Sequence, residues 1–421
     1  MRTVIPIAVQ ASRQNAKPAA ANHSDQQSAL HLTASPPLAL YVHVPWCVRK
    51  CPYCDFNSHP VNLLPDVEFT GELPEEAYLH SLRADLEQAL PEVWGRSVVS
   101  VFIGGGTPSL LSARAVDDLL TLLRTHLPLV PDAEITLEAN PGAIEAGKFA
   151  AFAASGVNRI SLGIQSFDDT ALQRLGRIHT ARQAQQAIEL AQRSVARVNL
   201  DVMFGLPQQT LAQSRQDLRT AMSFGTEHLS LYNLTLEPNT VFAKFPPAGL
   251  PGDDLAAAMQ EQAESLAAQG GWQRYEVSAY ALSTAARSQH NLNYWQFGDY
   301  LGIGPGAHSK LTFHDRIVRC ARVRQPQSWM AKAVLRNGSH VATRQNVSAR
   351  ELPFEFMMNA LRLKAGVPAP WFSQRTGLPQ QAVSAAVNRC IEKGLLMDTP
   401  LRWQATELGW RFLNDTLTEF L

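Results

Sequence analysis

The sequence reads as an α/β protein: a partial, open (β/α)6 barrel followed by a C-terminal, mostly helical, winged-helix-like domain. Two observations predict the barrel and a third the second domain. From Leu38 onward short apolar strands alternate with helical stretches, the pattern of parallel strands joined by crossover helices. The strand-like runs are Leu38–Val44, Val98–Ile103, Glu134–Ala139, Arg159–Ile164, Arg197–Phe204 and His228–Leu234. Helical periodicity fills the intervals at Glu75–Leu90, Ala113–His126, Ile144–Ala154, Ala181–Arg193, Thr210–Phe224 and Asp254–Gln269. Six such units are too few to close an eight-fold barrel, so the sheet should stay open. From about Ser348 the character changes. Phe354–Leu363, Pro370–Arg375, Gln380–Lys393 and Leu395–Ala405 read as helices, followed by a short hairpin and a helix from Glu407 to the end.

Composition bounds the function. With 421 residues and 45% hydrophobic content the chain can bury a large core and hold one big domain plus a smaller one. Lys plus Arg and Asp plus Glu both number 37, so no global field steers the protein toward nucleic acid or an anionic membrane. Residues 1–36, rich in Ala, Ser, Gln and Asn, read as a disordered leader. The leader has no secretory pattern; Arg2, Arg13 and Lys17 against the single acid Asp25 leave an organelle-targeting peptide as the alternative. The barrel is expected over 37–282, a segment that carries the H-N-x-x-Y-W motif and connects the domains over 283–345, and the C-terminal domain over 346–421. No apolar run approaches the roughly 20 residues of a membrane helix. Of five cysteines, Cys320 and Cys390 stand isolated, which is the usage of a reducing compartment, so a cytoplasmic location is expected.

The other three cysteines fall in one loop after the first strand, Y-V-H-V-P-W-C-V-R-K-C-P-Y-C-D, as Cys47, Cys51 and Cys54. Thiolates this close can converge on one soft metal centre, and a loop curled around an iron–sulfur cube presents sulfurs to three corners while leaving one iron open. A structural zinc site is the plainer alternative, but zinc prefers four ligands, usually as two separated pairs.

Ligands in parallel α/β folds sit at the carboxyl ends of strands, and here those ends are polar and glycine-rich. Gly104-Gly105-Gly106-Thr107-Pro108 follows the second strand, Glu138-Ala139-Asn140-Pro141-Gly142 ends the third, Gln165-Ser166 ends the fourth and Asp201 lies late in the fifth. Glycines let the backbone approach a ligand, carboxylates suit ribose hydroxyls or an ammonium, and Gln165 and Arg177 suit a carboxylate or ribose. Taken singly, each is as well explained as a solvated loop residue or an ion-pair partner.

The spacing C-x3-C-x2-C after Y-x-H-x-P-x-C resembles the radical S-adenosylmethionine (SAM) superfamily. The segments VFIGGGTPSLL, ITLEANPG, RISLGIQSFDDTALQRLGRIHT and VNLDVMFGLPQQT are similar, in the same order, to the oxygen-independent coproporphyrinogen III oxidase family. The resemblance spans about residues 38–310. It implies a radical SAM partial barrel, a [4Fe–4S] cluster on Cys47, Cys51 and Cys54, and SAM held by Tyr41, Gly105, Gly106, Thr107, Glu138, Gln165, Arg177 and Asp201. His179 is given no catalytic role and reads as a packed or capping histidine.

Two features point within that family to its haem chaperone (HemW) branch. The oxidase pattern has a fourth cysteine two residues after the third, where this chain has Phe56. His290, Asn291, Tyr294 and Trp295 form H-N-x-x-Y-W, which the resemblance ties to haem. One imidazole with two aromatic rings is a sensible haem element, although a histidine beside Trp and Tyr is more often core; His308 is a second candidate. The expectation is therefore a haem chaperone that passes haem to client haemoproteins, carries a cluster and SAM, uses a reducing electron donor, and has no coproporphyrinogen oxidase activity. Contact with membrane proteins would be transient. The alternative is the oxidase itself, a radical decarboxylase. A DNA-associated regulator is the third reading, but QQAVSAAVNRCIEK offers only Arg389 and Lys393 to phosphate, so no nucleic-acid partner is expected.

Overall fold

The computed structural model describes residues 30–32, 34–61, 73–142 and 146–421. Six parallel strands lie side by side in chain order at its centre: β1 (Leu38–Val44), β2 (Val98–Gly105), β3 (Leu129–Ala139), β4 (Arg159–Gln165), β5 (Arg197–Phe204) and β6 (His228–Asn233). This is the open six-unit barrel that the sequence predicts. The sheet does not stop there. A hairpin of β7 (Gln273–Arg274) and β8 (Ala279–Ala281) adds antiparallel to β6. On the other edge β9 (Asp299–Ile303) pairs in parallel with β1, and β10 (His308–Thr312), β11 (Ile317–Arg322) and β12 (Val341–Asn346) continue antiparallel, giving twelve strands.

Those four strands lie in 283–345, for which the sequence reading offers a motif-bearing connecting segment and no strands. Their charges hid them. Lys310 is buried on β10, held by Asp299 Oδ1 at 3.0 Å and the Phe297 carbonyl at 3.0 Å, and Asp299 also takes Arg96 at 2.8 Å. A buried ion pair with all its hydrogen bonds made is tolerated in a strand, but it breaks the apolar signature by which strands are read.

Helix boundaries follow their caps. Thr180 and Thr210 each close a capping box with Gln183 and Gln213, so helices Ala181–Ser194 and Leu211–Ser223 begin one residue after the cap. The first helix runs from Glu75 through Pro91 to Val93, and Phe149–Ser155 is helical; residues 143–145, at the expected start of that helix, lie outside the described residues.

Successive residues of a strand face opposite ways, and the register fixes which ones share a face. Leu38, Leu40, Val42, Val101, Ile103, Leu137, Ile160 and Leu162 fill the core beneath the helices. Each such side chain contributes about 1.5–3 kcal/mol by leaving water. On the other face Tyr41 lies beside Phe102 and Thr136, Glu138 beside Ser161, Asn199 and His228, and Gly163 beside Asp201 and Ser230. The lumen of the open barrel is therefore polar and aromatic, with the thiol loop at its rim.

The C-terminal region has its own core, in which Phe356, Phe372 and Trp403 meet edge to face. Leu395–Ala405, expected as a helix, forms a small wing instead: Val367–Pro368 pairs with Arg402–Trp403 and Leu396 bridges Ala405, so its backbone bonds go across strands rather than along a helix. The final helix is interrupted at Phe412, between Glu407–Arg411 and Leu413–Thr418. Residues 1–29 of the expected leader lie outside the described residues. Its last part is not disordered: Leu32 is buried in the C-terminal core and its amide donates to the His314 carbonyl at 3.1 Å.

Candidate functional site

The thiol loop is fastened to the glycine turn by backbone hydrogen bonds. The Gly106 amide donates to the Val44 carbonyl and the Thr107 amide to the Trp46 carbonyl, both at 2.7 Å. This approach requires glycine. Gly105 has φ +112°, and a Cβ there would stand 2.5 Å from the His43 ring, while one at Gly106 would stand 2.5 Å from the Trp46 oxygen. At the far end of the loop Asn57 donates to the Pro305 and Arg324 carbonyls and its own carbonyl accepts from His43 Nε2 at 2.9 Å. His43 Nδ1 therefore accepts from the Tyr41 hydroxyl, also at 2.9 Å.

Each thiol of the loop is partly exposed and has a donor beside it. Thr107 Oγ1 lies 3.4 Å from Cys47 Sγ, Arg177 Nη1 lies 3.6 Å from Cys51 Sγ, and the Ser58 hydroxyl lies 3.9 Å from Cys54 Sγ. Burial pushes the Cys47 thiol up to about 11 and raises Cys54 as well, so bound positive charge is what would hold them as thiolates. Among the described residues no three His, Cys, Asp or Glu side chains stand close enough to hold a single metal ion. A cube of iron and sulfide takes its thiolates on separate irons, farther apart than the ligands of one zinc.

Behind the loop a hydrogen-bond chain ties the strand ends together. Arg177 Nη2 donates to Asn140 Oδ1 and to the Gly163 carbonyl, each at 2.7 Å, and Asn140 Nδ2 donates to Thr107 Oγ1 at 2.9 Å. The Gly105 amide donates to Glu138 Oε2 at 3.0 Å. Burial, with the Asp201 charge next, raises the Glu138 carboxyl to about 8, and burial raises Asp201 too. Ser161 and Asn199 bond Asp201 at 3.1 and 2.8 Å. Two enclosed carboxyls with no ion-pair partner among the described residues, only the Arg159 charge opposing from further off, suit an incoming ammonium or ribose. Gln165 ends β4 at φ +67°, a strained conformation for a residue with a side chain, which turns it at the rim.

His290 arrives from elsewhere, on the helix Gln289–Trp295 that fills the lumen. Its ring stacks on Phe102 at 4.5 Å between centroids and meets Tyr294 edge-on at 4.8 Å, with Tyr41 at 6.4 Å. Burial lowers the imidazole to about 3, so it is neutral, and its Nδ1 is buried without a partner. The structure thus brings Tyr41, Gly105, Gly106, Thr107, Glu138, Gln165, Arg177, Asp201 and the thiols to one rim, with His290 inside the barrel. His179 bonds the Ile164 carbonyl at 3.2 Å, and His308 lies exposed at the start of β10. Asn140 and His43 were not singled out by the sequence reading; their only signals are their places in E-A-N-P-G and Y-V-H-V-P, and their partners are set by folding.

An open six-stranded barrel with a three-thiol loop after its first strand is the layout of a radical SAM domain, and the Radical SAM superfamily model matches residues 41–221. The HemN C-terminal domain model matches residues 347–412. Among relatives, the heme chaperone HemW of Escherichia coli K12 is 47% identical over 92% of this chain and 98% of its own length. The heme chaperone HemW of Haemophilus influenzae is 45% identical over 92% and 98%. The coproporphyrinogen III oxidase HemN of Escherichia coli, a radical SAM enzyme, superposes with a TM-score of 0.75 over 92% of this chain and 90% of that one; at 21% identity it shares the fold. The chain belongs to the HemW family of the radical SAM superfamily. Membership in the superfamily implies a [4Fe–4S] cluster and SAM.

Proposed function

We propose that this chain is a haem chaperone, which binds haem and transfers it to client haemoproteins. The observation that carries this reading is 47% identity with the Escherichia coli heme chaperone HemW over 98% of that protein. Cys47, Cys51 and Cys54 hold the cluster, and the donors Thr107, Arg177 and Ser58 face the sulfurs where they carry charge. Tyr41, Gly105, Gly106, Thr107, Glu138, Gln165, Arg177 and Asp201 hold SAM. The carboxylates take its ammonium or ribose, and the Arg177–Asn140–Thr107 chain keeps the rim in register. When bound, the cluster and SAM supply one-electron reductive chemistry at that rim. His290 offers haem a neutral imidazole, the form that ligates iron, with the Phe102 and Tyr294 rings beside it.

The protein works in the cytoplasm with a reducing electron donor, meets membrane-bound clients transiently and takes no nucleic acid. No helix among the described residues is long and apolar enough to cross a membrane. Phe56, 57% exposed, stands where the oxidase pattern has its fourth cysteine, which supports a chaperone over a decarboxylase. The test is anaerobic haem titration of the cluster-loaded protein, alongside incubation with SAM, a reductant and coproporphyrinogen. Saturation near about one haem per chain, the expectation for one axial site, without protoporphyrinogen formation, is the expected result. Protoporphyrinogen formation would return the chain to the oxidases.

A further inference from the structure

Asn140 lies between two residues that face sulfurs of the thiol loop, and its amide has only one workable orientation. Arg177 Nη2 stands 2.7 Å from Asn140 Oδ1. A guanidinium donates and never accepts, so the amide oxygen must face it and the amide nitrogen must point the other way. There Asn140 Nδ2 donates to Thr107 Oγ1 at 2.9 Å. Arg177 Nη2 also donates to the Gly163 carbonyl at 2.7 Å, so the guanidinium has a hold of its own that does not depend on Asn140.

This orientation decides where the Thr107 proton goes. A hydroxyl has one proton and two lone pairs, and with the Asn140 N–H on a lone pair the proton is left for another acceptor. Cys47 Sγ is 3.4 Å away. The plainer use of a threonine here would be to cap the turn that follows it, but Thr107 makes no side-chain capping bond to Pro108–Leu110. Thr107 is buried, and its amide is tied to the Trp46 carbonyl in the thiol loop at 2.7 Å. The Asn140 amide donates to Ser109 Oγ in the same turn at 3.4 Å. One directional chain thus runs from Arg177 through Asn140 and Thr107 to Cys47, and each bond polarises the next.

We propose that Asn140 is a positioning residue for the iron–sulfur cluster: it turns the Thr107 hydroxyl onto the Cys47 thiolate and thereby raises the cluster's reduction potential. This rests on the assignment of the cluster to Cys47, Cys51 and Cys54 made above. A ligating cysteine is a thiolate, which can only accept, and reduction adds negative charge to the cluster and its sulfurs. A donor aimed at sulfur therefore stabilises the reduced state more than the oxidised one. Asn140 acts through that one hydroxyl.

The experiment is a reductive titration of the cluster-loaded full chain without SAM, followed by electron paramagnetic resonance, with iron and sulfide analysis of every sample. Thr107→Val removes the hydroxyl and should shift the reduction equilibrium toward the oxidised form about tenfold, which is about 59 mV for a one-electron couple. Asn140→Ala frees the hydroxyl to rotate and should shift it the same way by a smaller factor, about two- to fivefold. Asn140→Asp keeps the shape and the Arg177 contact but turns an oxygen to Thr107, which draws the hydroxyl proton off the sulfur, so its shift should be at least that of Thr107→Val. Thr107→Ser should titrate as wild type does. In a Thr107→Val background Asn140→Ala should add nothing, the mark of a residue that acts through that hydroxyl. Wild-type potentials in both Asn140 variants, or full additivity of Asn140→Ala with Thr107→Val, overturn the proposal while the cluster assignment stands. Lost SAM binding at an unchanged potential overturns it too and moves Asn140 to the SAM site. Should one Asn140 variant take up no iron, the other carries the comparison; loss of the cluster from both, with a normal cluster in Thr107→Val, puts the role of Asn140 outside the hydroxyl and sinks the proposal. A wild type that assembles no cluster on the three thiols removes the assignment beneath it.

Discussion

The thiol loop and the helix Gln289–Trp295 both face the lumen, yet they are held in opposite ways. The loop hangs on backbone hydrogen bonds to a neighbouring glycine turn, and its three functional side chains are partly exposed. The helix is plugged in from a distant part of the chain: the His290 amide and Ser288 hydroxyl bond Glu134 at 3.2 and 3.4 Å, and Glu134 in turn faces Arg197 at 3.4 Å and Arg159 at 3.9 Å. Damage to the loop should therefore remove chemistry and leave the fold, whereas damage to the helix should mix ligand binding with stability.

The largest expected effect breaks the comparison at the loop. Cys51→Ala removes a thiolate that no nearby side chain replaces, so anaerobic iron and sulfide analysis should find the cluster lost, with the melting temperature nearly unchanged. Cys320→Ala, far from the loop and buried on β11, should keep full cluster content. Equal loss in both variants would sink the assignment.

Next comes a buried charge that serves neither site. Asp85 accepts from Arg322 at 2.9 Å, His340 at 3.0 Å, Trp329 at 3.2 Å and the Gly304 amide at 3.1 Å, fastening the first helix to the added strands beside β1. Asp85→Ala strands a buried guanidinium and should cost about 3–5 kcal/mol in urea unfolding. Burial would raise the Asp85 carboxyl, but Arg322, His340 and the Gly304 amide together hold it below its ordinary value. A group lowered on folding stabilises above its unfolded pKa, and that contribution is lost as pH falls through the folded value. Acid should therefore destabilise wild type more than Asp85→Asn. Parallel acid limbs would leave the pair without this role.

A smaller effect sharpens the contrast. His290→Ala should leave iron and sulfide untouched, weaken haem binding or change its spectrum, and destabilise by about 1–3 kcal/mol, the ordinary range for a buried truncation. Unchanged haem affinity and spectrum would reduce the motif to aromatic core and turn the search to another ligand such as His308.

The same contrast explains what the sequence made legible. C-x3-C-x2-C is a local pattern, and so are the strand ends that carry Gly105, Glu138, Gln165 and Asp201; period and spacing place them on one face before any fold is known. The four strands β9 to β12 were missed because Asp299, Lys310, Arg319 and Arg322 interrupt the apolar pattern, and their charges are compensated only in the fold, Asp299 by Lys310 and Arg96, Arg319 by Glu355 and Arg322 by Asp85. The packing of Leu32 was hidden for the same reason, a single leucine at the end of a polar stretch.

The finest effect lies in the carboxyl at the rim. Glu138 is raised to about 8, by burial first and then by the Asp201 charge, in the protein without SAM. A carboxyl whose folded pKa lies above its unfolded value binds more protons in the folded state, so stability is full below the unfolded value near pH 4.5 and falls as pH rises toward 8. The loss is at most about 1.4 kcal/mol for each pH unit in that window. Urea unfolding of the SAM-free protein at pH 5.5 and 7.5 should thus find wild type losing stability with pH, and Glu138→Gln losing less, because the substitution removes one titrating group and relieves Asp201. An ammonium bound between the two carboxyls would reverse their preference, so SAM should flatten the wild-type slope and leave the variant's almost as it was. A wild-type slope identical to that of Glu138→Gln, with or without SAM, would remove Glu138 from the site and leave the loop, not the lumen, as the only part of the rim that senses charge.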